Sequence, residues 1–119
     1  MKRIFSALLL VALLAGSAFG LSDREYRDMK RDSKLFRDAD RKLGIVWKRI
    51  QSQVTKASQT MFDTLLEEQR EWIRSGRDIA ARKYMKQSYY PINAAYAIVT
   101  YERIGYLEGW ETFVFGEDD

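Results

Sequence analysis

Carboxylates, arginines and amides are the side chains through which this sequence could do chemistry, because it contains neither histidine nor cysteine. Without histidine it lacks a Ser-His-Asp triad and the usual imidazole base, and without either residue type zinc and other soft metals lose their preferred ligands. Asp38 and Asp40 have the spacing of calcium-loop ligands, but Lys42 takes the next ligand position. Adjacent carboxylates such as Glu67 and Glu68 fit a solvated helix face. The sequence therefore predicts neither an enzyme nor a cofactor or metal site.

Three polar residues stand out because each lies near the middle of an otherwise apolar helix face: Asp40, Gln69 and Arg103. With a rise of about 1.5 Å per residue, the three fall at similar heights along the predicted helices, and Arg77 reaches about the same level. A buried carboxylate alone is costly. We therefore predict that Asp40 is buried and pairs with Arg103 or Arg77, with Gln69 hydrogen-bonded nearby. A polar network that fixes helix register is favoured over a ligand site.

Arg70, Arg74 and Arg77 occupy neighbouring positions on the predicted second helix and are the candidate binding residues. The face opposite the apolar one has the pattern of a solvated stripe, on which charges of opposite sign recur at i+3 spacing, and Asp78 lies on this solvated face. The favoured alternative is that the arginines pair with acidic neighbours on that helix: Glu67, Glu71 and Asp78.

Two motifs carry a resemblance to a known family: Ala39-Asp40-x-x-Leu43-x-x-x-Trp47, and Gln69-Arg70-x-Trp72-Ile73 followed by Arg77-Asp78. They resemble the LprI-like lysozyme-inhibitor family of bacterial envelope proteins, whose pattern reads roughly Ala-Asp-x-x-Leu-Asn-x-x-Tyr, Ala-Gln-Arg-x-Trp-Ile and Arg-Asp. Here Gly44 replaces the Asn, Trp47 the Tyr and Glu68 the Ala. The Arg-Asp pair lies one residue later, and the cysteines common in the family are absent. The resemblance covers roughly Leu35 to Leu107.

The resemblance implies an envelope protein that binds a protein partner, with lysozyme as the named candidate. A lysozyme substrate cleft carries catalytic carboxylates that could accept a projecting arginine. The alternative is a structural or interaction module of the periplasm without activity toward lysozyme. Such a module would use exposed aromatic residues, and the candidates cluster near the helix breaks and the tail: Tyr84, Tyr89, Tyr90, Trp110, Phe113 and Phe115. The sequence leaves the partner and the oligomeric state open.

The N-terminal segment has the pattern of a secretory signal peptide. Lys2 and Arg3 precede an apolar stretch, and Ala18-Phe19-Gly20 supplies the small residues of a cleavage site. An uncleaved membrane anchor is the alternative, but the apolar stretch is shorter than the ~20 residues that a bilayer requires. We therefore predict cleavage before Leu21, near Gly20, and a periplasmic or secreted protein. A lipid anchor is excluded because no cysteine is present to carry it.

Removal of residues 1–20 changes the charge of the chain. The full sequence has 20 basic and 17 acidic residues, and loss of Lys2 and Arg3 leaves 18 against 17, a net charge of +1. Basic and acidic residues alternate throughout, so a nucleic-acid partner is disfavoured. Without disulfides, the mature chain must rely on one modest hydrophobic core.

The hydrophobic pattern predicts an all-α fold, an antiparallel three-helix bundle with long first and second helices. The first helix begins at a capping box, Ser22 with Glu25, and the second runs from about Thr60 to Gln87. The third follows Pro91. It ends near residue 109, giving a helical domain of residues 21–110 and an acidic C-terminal tail of residues 111–119.

Overall fold

The structure is a computed structural model that describes residues 20–115, and side chains as far as Phe113. The described part of the chain is helical without a strand, which confirms the predicted all-α class. Most of the predicted signal peptide, residues 1–19, and the end of the predicted tail, residues 116–119, lie outside the described residues. The helices are α1 (Asp23–Asp32), α2 (Lys34–Ala57), α3 (Gln59–Glu71), a π-helical segment (Trp72–Gly76), α4 (Arg77–Gln87) and α5 (Ile92–Phe115).

The first helix begins as predicted but is interrupted at Ser33. Ser22 Oγ accepts from the Glu25 amide at 3.2 Å, and the Glu25 carboxylate accepts from the Ser22 amide at 2.8 Å, which completes the capping box. Ser33 has an extended backbone conformation. Its amide donates to Met29 O at 2.8 Å, and its hydroxyl accepts from the Phe36 amide at 3.2 Å. One serine thus ends α1 and begins α2.

Ser58 repeats this arrangement between α2 and α3. Its amide donates to Val54 O at 2.8 Å, and its hydroxyl accepts from the Met61 amide at 3.2 Å. The N-cap of the second long helix is therefore Ser58, two residues before the predicted Thr60. A serine hydroxyl can accept a hydrogen bond from a helix amide that has no partner within the helix, while the serine's own backbone is extended. One residue therefore suffices for the break at Ser33 and for the connection at Ser58.

The path from α3 to α4 contains a single π-helical turn. Its hydrogen bond runs from the Arg77 amide to Trp72 O, five residues back along the chain. A π turn takes in one more residue than an α turn. Side chains after Gly76 consequently point in directions that an unbroken α-helical wheel does not predict.

The last helix is longer than the sequence indicated. α5 continues through Phe115, whereas the sequence pattern placed its end near Gly109. A Cβ at Gly109 would meet no atom within 4 Å, so this glycine lies on an open side of the helix and does not act as a terminator. The first part of the predicted tail is therefore helical.

The core consists of two clusters of buried side chains that meet at Trp72. The first joins α2, α3 and α5, and the second joins α1, α2, α4 and α5. Trp72 packs against both clusters from the π segment. The buried members of the first are Leu43, Val46, Ile50, Val54, Phe62, Leu65, Ile104 and Leu107, and those of the second are Met29, Phe36, Ala81, Ala95, Tyr96 and Val99.

A candidate functional site lined by the two motifs

A surface cleft of about 200 Å³ lies between α2 and the helix formed by α3 and the π segment. Leu66 lies in the stretch just before Gln69, and every other residue of the lining lies within the span of one of the two motifs. α2 contributes four residues at i+3 and i+4 spacing, which brings them to one line along the helix. The lining consists of Asp40, Leu43, Gly44, Trp47, Leu66, Gln69, Arg70 and Ile73.

Gln69 and Arg103 meet behind this cleft, although the sequence had placed Arg103 with Asp40 and Gln69 only nearby. Gln69 is buried, 6 % exposed, and its Oε1 accepts a hydrogen bond from Arg103 Nε at 2.8 Å. The Arg103 guanidinium also lies over the ring of Tyr106, 4.6 Å from its centroid. Burial lowers the pKa of Arg103 from its ordinary value, because the charged form loses solvation. The amide therefore satisfies part of a guanidinium that α5 holds away from water.

Asp40 does not join this pair, which corrects the predicted network. Its carboxylate forms an ion pair with Lys30 at 3.1 Å, and its side chain is 26 % exposed. Arg103 and Arg77 take other partners: Arg103 contacts Gln69, and Arg77 stacks on aromatic rings. Asp40 lies at the rim of the cleft, where partial exposure to solvent and the Lys30 ammonium offset its charge.

The position of Asp40 follows from where the apolar face of α2 is centred. Ala39 and Val46 are 0 % and 2 % exposed, so the buried stripe runs through them. Asp40 and Trp47 each follow one of these residues and lie at the edge of the stripe. The break at Ser33 then brings α1, and with it Lys30, to the side on which Asp40 emerges. An unbroken helix would have carried Lys30 away from this point.

Two of the three candidate arginines pair with acidic neighbours on the same helix, as the favoured alternative predicted. Arg70 bonds to Glu67 at 3.0 Å and is 20 % exposed. Arg74 pairs with Glu71 and is 39 % exposed. Arg70 lines the cleft, but Arg74 does not. The arginines therefore do not project together from one surface.

Arg77 is held by aromatic rings. Its guanidinium carbon lies 4.0 Å from the centroid of the Tyr26 ring and 5.2 Å from that of Trp72, distances at which a cation is attracted to the ring face. It lines a second depression, which Asp40 and Lys30 share. Asp40 thus lines both depressions, whereas Arg70 lines the cleft and Arg77 lines the second depression.

A buried carboxylate does exist, but it is Asp78 and not Asp40. Asp78 is 5 % exposed, although the wheel placed it on the solvated face. Relative to Gln69 the intervening π turn rotates it by about a quarter turn, which brings it toward the core. Its Oδ1 accepts hydrogen bonds from the hydroxyls of Tyr26 at 2.5 Å and Tyr96 at 2.7 Å.

The two tyrosines are locked as neutral donors. Burial is the largest cause that raises the pKa of each far above its ordinary value, and the bond to the Asp78 carboxylate raises both further. The nearby Arg77 charge opposes the shift at Tyr26. The hydroxyls therefore donate to Asp78 across the physiological range. A helical wheel that allowed for the π turn at Trp72–Gly76 would have turned Asp78 toward the core, where Tyr26 and Tyr96 bond to it.

Residues 20–115 contain no group of three or more carboxylates close enough to hold a metal ion. None of the helices described has the length and apolar character needed to cross a bilayer.

Comparisons with protein-family models, with curated proteins and with solved structures gave no match to this chain. The resemblance to the LprI-like family therefore rests on the two motifs alone.

Proposed function

We propose that this chain is an exported protein of the bacterial envelope that binds a protein partner through the cleft between α2 and α3, with lysozyme as the first candidate. One observation carries this proposal: side chains from both motifs of the resemblance line a single surface cleft. The first motif ends at Trp47 and the second begins at Gln69, so 21 residues of sequence separate them, and they resemble the same family.

The chemistry of the cleft favours an apolar side chain flanked by polar groups. Leu43, Leu66, Ile73 and the Trp47 ring supply apolar walls, while Asp40 at the rim and Arg70 supply charges of opposite sign. Concave sites of this composition bind by desolvating an apolar group and fixing its orientation with a few polar contacts. The volume of about 200 Å³ suits one large side chain of a partner protein.

The spacing of the second motif also supports the proposal. The Arg77-Asp78 pair lies one residue later than in the family pattern, and the π turn between Trp72 and Gly76 is the place where the helix holds an additional residue. The additional residue in the π turn therefore compensates for the one-residue offset of the Arg77-Asp78 pair. π turns of this kind are frequent at functional sites.

We infer in addition that the helices form an antiparallel bundle of three limbs. The first limb is α1 with α2, the second is α3 with α4, and the third is α5. The short connections at Ser58 and at residues 88–91 favour antiparallel neighbours. In this arrangement the cleft lies between the first two limbs.

The test of function uses lysozyme and a blocked cleft. The processed protein should slow the hydrolysis of bacterial cell walls by an animal-type or a phage-type lysozyme, and calorimetry should detect binding at micromolar concentration. Gly44 is exposed, and a Cβ there would meet nothing within 4 Å, so Gly44→Phe should fold and cover the cleft. Gly105→Phe is the matched control, since Gly105 is exposed with equally open surroundings.

The proposal predicts that Gly44→Phe abolishes binding and that Gly105→Phe preserves it. If neither lysozyme is bound or inhibited by the unmodified protein, lysozyme is not the partner. Equal binding by both variants would exclude the cleft as the site.

A second candidate function is an interaction module that uses its exposed aromatic residues. Tyr89 favours it, because this residue is 87 % exposed and adopts φ of 59°, a left-handed conformation that bulky residues rarely occupy. Strained and exposed residues of this kind cluster at functional sites. This function would be favoured over the first if the unmodified protein and Gly44→Phe both retain an envelope protein and Tyr89→Gly does not.

A further inference from the structure

Both hydrogen bonds described at the buried Asp78 carboxylate go to the same oxygen. Oδ1 accepts from both Tyr26 and Tyr96, and the residue is 5 % exposed. Two neutral hydroxyls do not neutralise a carboxylate. A buried charge of this kind ordinarily has a cation beside it, because its desolvation is costly.

The neighbouring Arg77 lies close by but does not form an ion pair with Asp78. Arg77 directs its guanidinium over the rings of Tyr26 and Trp72. Among residues 20–115, Asp78 forms no ion pair within 4 Å. A positive charge beside Oδ2 would therefore offset the cost of burying this carboxylate.

Gly20 lies directly against this oxygen. A Cβ built on Gly20 would fall 2.1 Å from Asp78 Cγ and 2.1 Å from Asp78 Oδ2, so any larger residue would collide with the carboxylate. From standard bond lengths, the nitrogen of Leu21 is within about 6 Å of Oδ2. Leu21 itself packs against the core cluster that contains Met29 and Phe36, which holds this end of the chain in place.

We propose that cleavage of the peptide bond between Gly20 and Leu21 frees an α-ammonium group that binds Asp78 Oδ2, so that maturation completes the buried site. This proposal rests on the export proposed above. Signal peptidase would hydrolyse the bond with water: Gly20 leaves with the signal peptide as a carboxylate, and the Leu21 nitrogen becomes an amine that takes up a proton at neutral pH. The ammonium then occupies the space from which Gly20 has departed.

The surroundings favour the charged amine. Tyr26 from α1 and Tyr96 from α5 face Asp78 as neutral donors, and Arg77 faces the same site from α4 across the Tyr26 ring. Only the carboxylate is negative, so the ammonium gains one strong partner. A free α-amine has an ordinary pKa of about 8, and the ion pair raises it. The stabilisation is complete below that ordinary value and is lost as pH rises through the higher value of the folded protein.

The test uses the full-length precursor, exported by a bacterial host and purified after processing. One variant carries two additional serines between Gly20 and Leu21, which displaces the new amine from Asp78. A second carries Asp78→Asn, whose amide oxygen still accepts from both tyrosines. A third combines the two changes. Mass spectrometry first establishes the N-terminal residue of each, and urea denaturation at pH 7 and pH 10 measures stability.

We expect the serine insertion to lower the folding equilibrium constant by about tenfold or more at pH 7, with little effect in the Asp78→Asn background. The effect of the insertion should shrink at pH 10. The α-amine of Leu21, followed by NMR, should titrate above the ordinary value of about 8.

The outcomes separate this proposal from the one on which it rests. A chain that retains residue 1 overturns export and the ion pair together. A chain that begins at Leu21, but whose amine titrates at its ordinary value or whose insertion effect is unchanged by Asp78→Asn, overturns the ion pair alone. If Asp78→Asn fails to fold, the NMR titration of the unsubstituted protein decides.

Discussion

Arg103 Nε donates a hydrogen bond to Gln69 Oε1 at 2.8 Å, which ties α5 to α3 behind the motif-lined cleft. The amide is buried, and Arg103 Nη2 is also buried, without a hydrogen-bond partner in the part of the chain described. Gln69 is therefore the polar contact that α3 offers to a partly desolvated guanidinium. Gln69 therefore has a structural role that does not depend on what the cleft binds.

Replacing Gln69 with Leu should destabilise the protein by about 1–3 kcal/mol, because a buried donor loses its acceptor. Urea denaturation followed by circular dichroism measures this loss. Gln59→Leu is the matched control, since Gln59 lies on the same helix but is exposed, and its amide donates to the Asp63 carboxylate. Its effect should remain within about 0.5 kcal/mol, and equal losses for the two variants would contradict the assigned role of Gln69.

Asp40→Ala should have a small effect, in contrast to the 3–5 kcal/mol that breaking a buried pair typically costs. The Lys30 partner is 50 % exposed and Asp40 is 26 % exposed, so we expect a loss of at most about 1 kcal/mol. A double-mutant cycle with Lys30→Ala isolates the pair, and added salt should weaken the coupling. A loss of several kcal/mol would restore Asp40 to the buried network.

Sequence reasoning identified the helical class, the capping box at Ser22 and the burial of a polar Gln69, because each depends on local spacing or on one polar residue in an apolar face. Sequence reasoning did not place a break at Ser33, since the heptad-like repeat continues through that residue. The break depends on the Ser33 hydroxyl, which caps α2.

Sequence reasoning also missed the site around Asp78. A wheel at about 100° per residue assumes an unbroken α-helix, and the single π turn invalidates that assumption for every later residue of the segment. The error at Asp40 has a different origin, because α2 is an unbroken α-helix: its apolar stripe is centred one residue earlier than the spacing indicated, at Ala39 and Val46.

Alkaline pH should unfold the protein through Tyr26 and Tyr96. Their pKa values are raised in the folded state, chiefly by burial, so their contribution is complete below the ordinary tyrosine value of about 10 and is lost as pH rises above it. Ultraviolet absorbance should show these two ionising only as the helical signal disappears.

Tyr26→Phe should therefore reduce the steepness of this alkaline transition while lowering stability at pH 7, because Asp78 loses a donor. Tyr89→Phe serves as the control at an 87 % exposed position and should leave the transition unchanged. Ionisation of every tyrosine before any loss of helix would contradict the burial of Tyr26 and Tyr96.

Gly44→Ala should stabilise the protein by about 0.5–1 kcal/mol, because glycine inside a helix costs more conformational entropy than alanine. Gly44 lies within α2, and an added Cβ would meet no atom within 4 Å. Gly105→Ala, in equally open space on α5, should give a similar gain in thermal denaturation. A loss of stability specific to Gly44→Ala would mean that the chain packs against this face of α2, and that the cleft is covered in the folded protein.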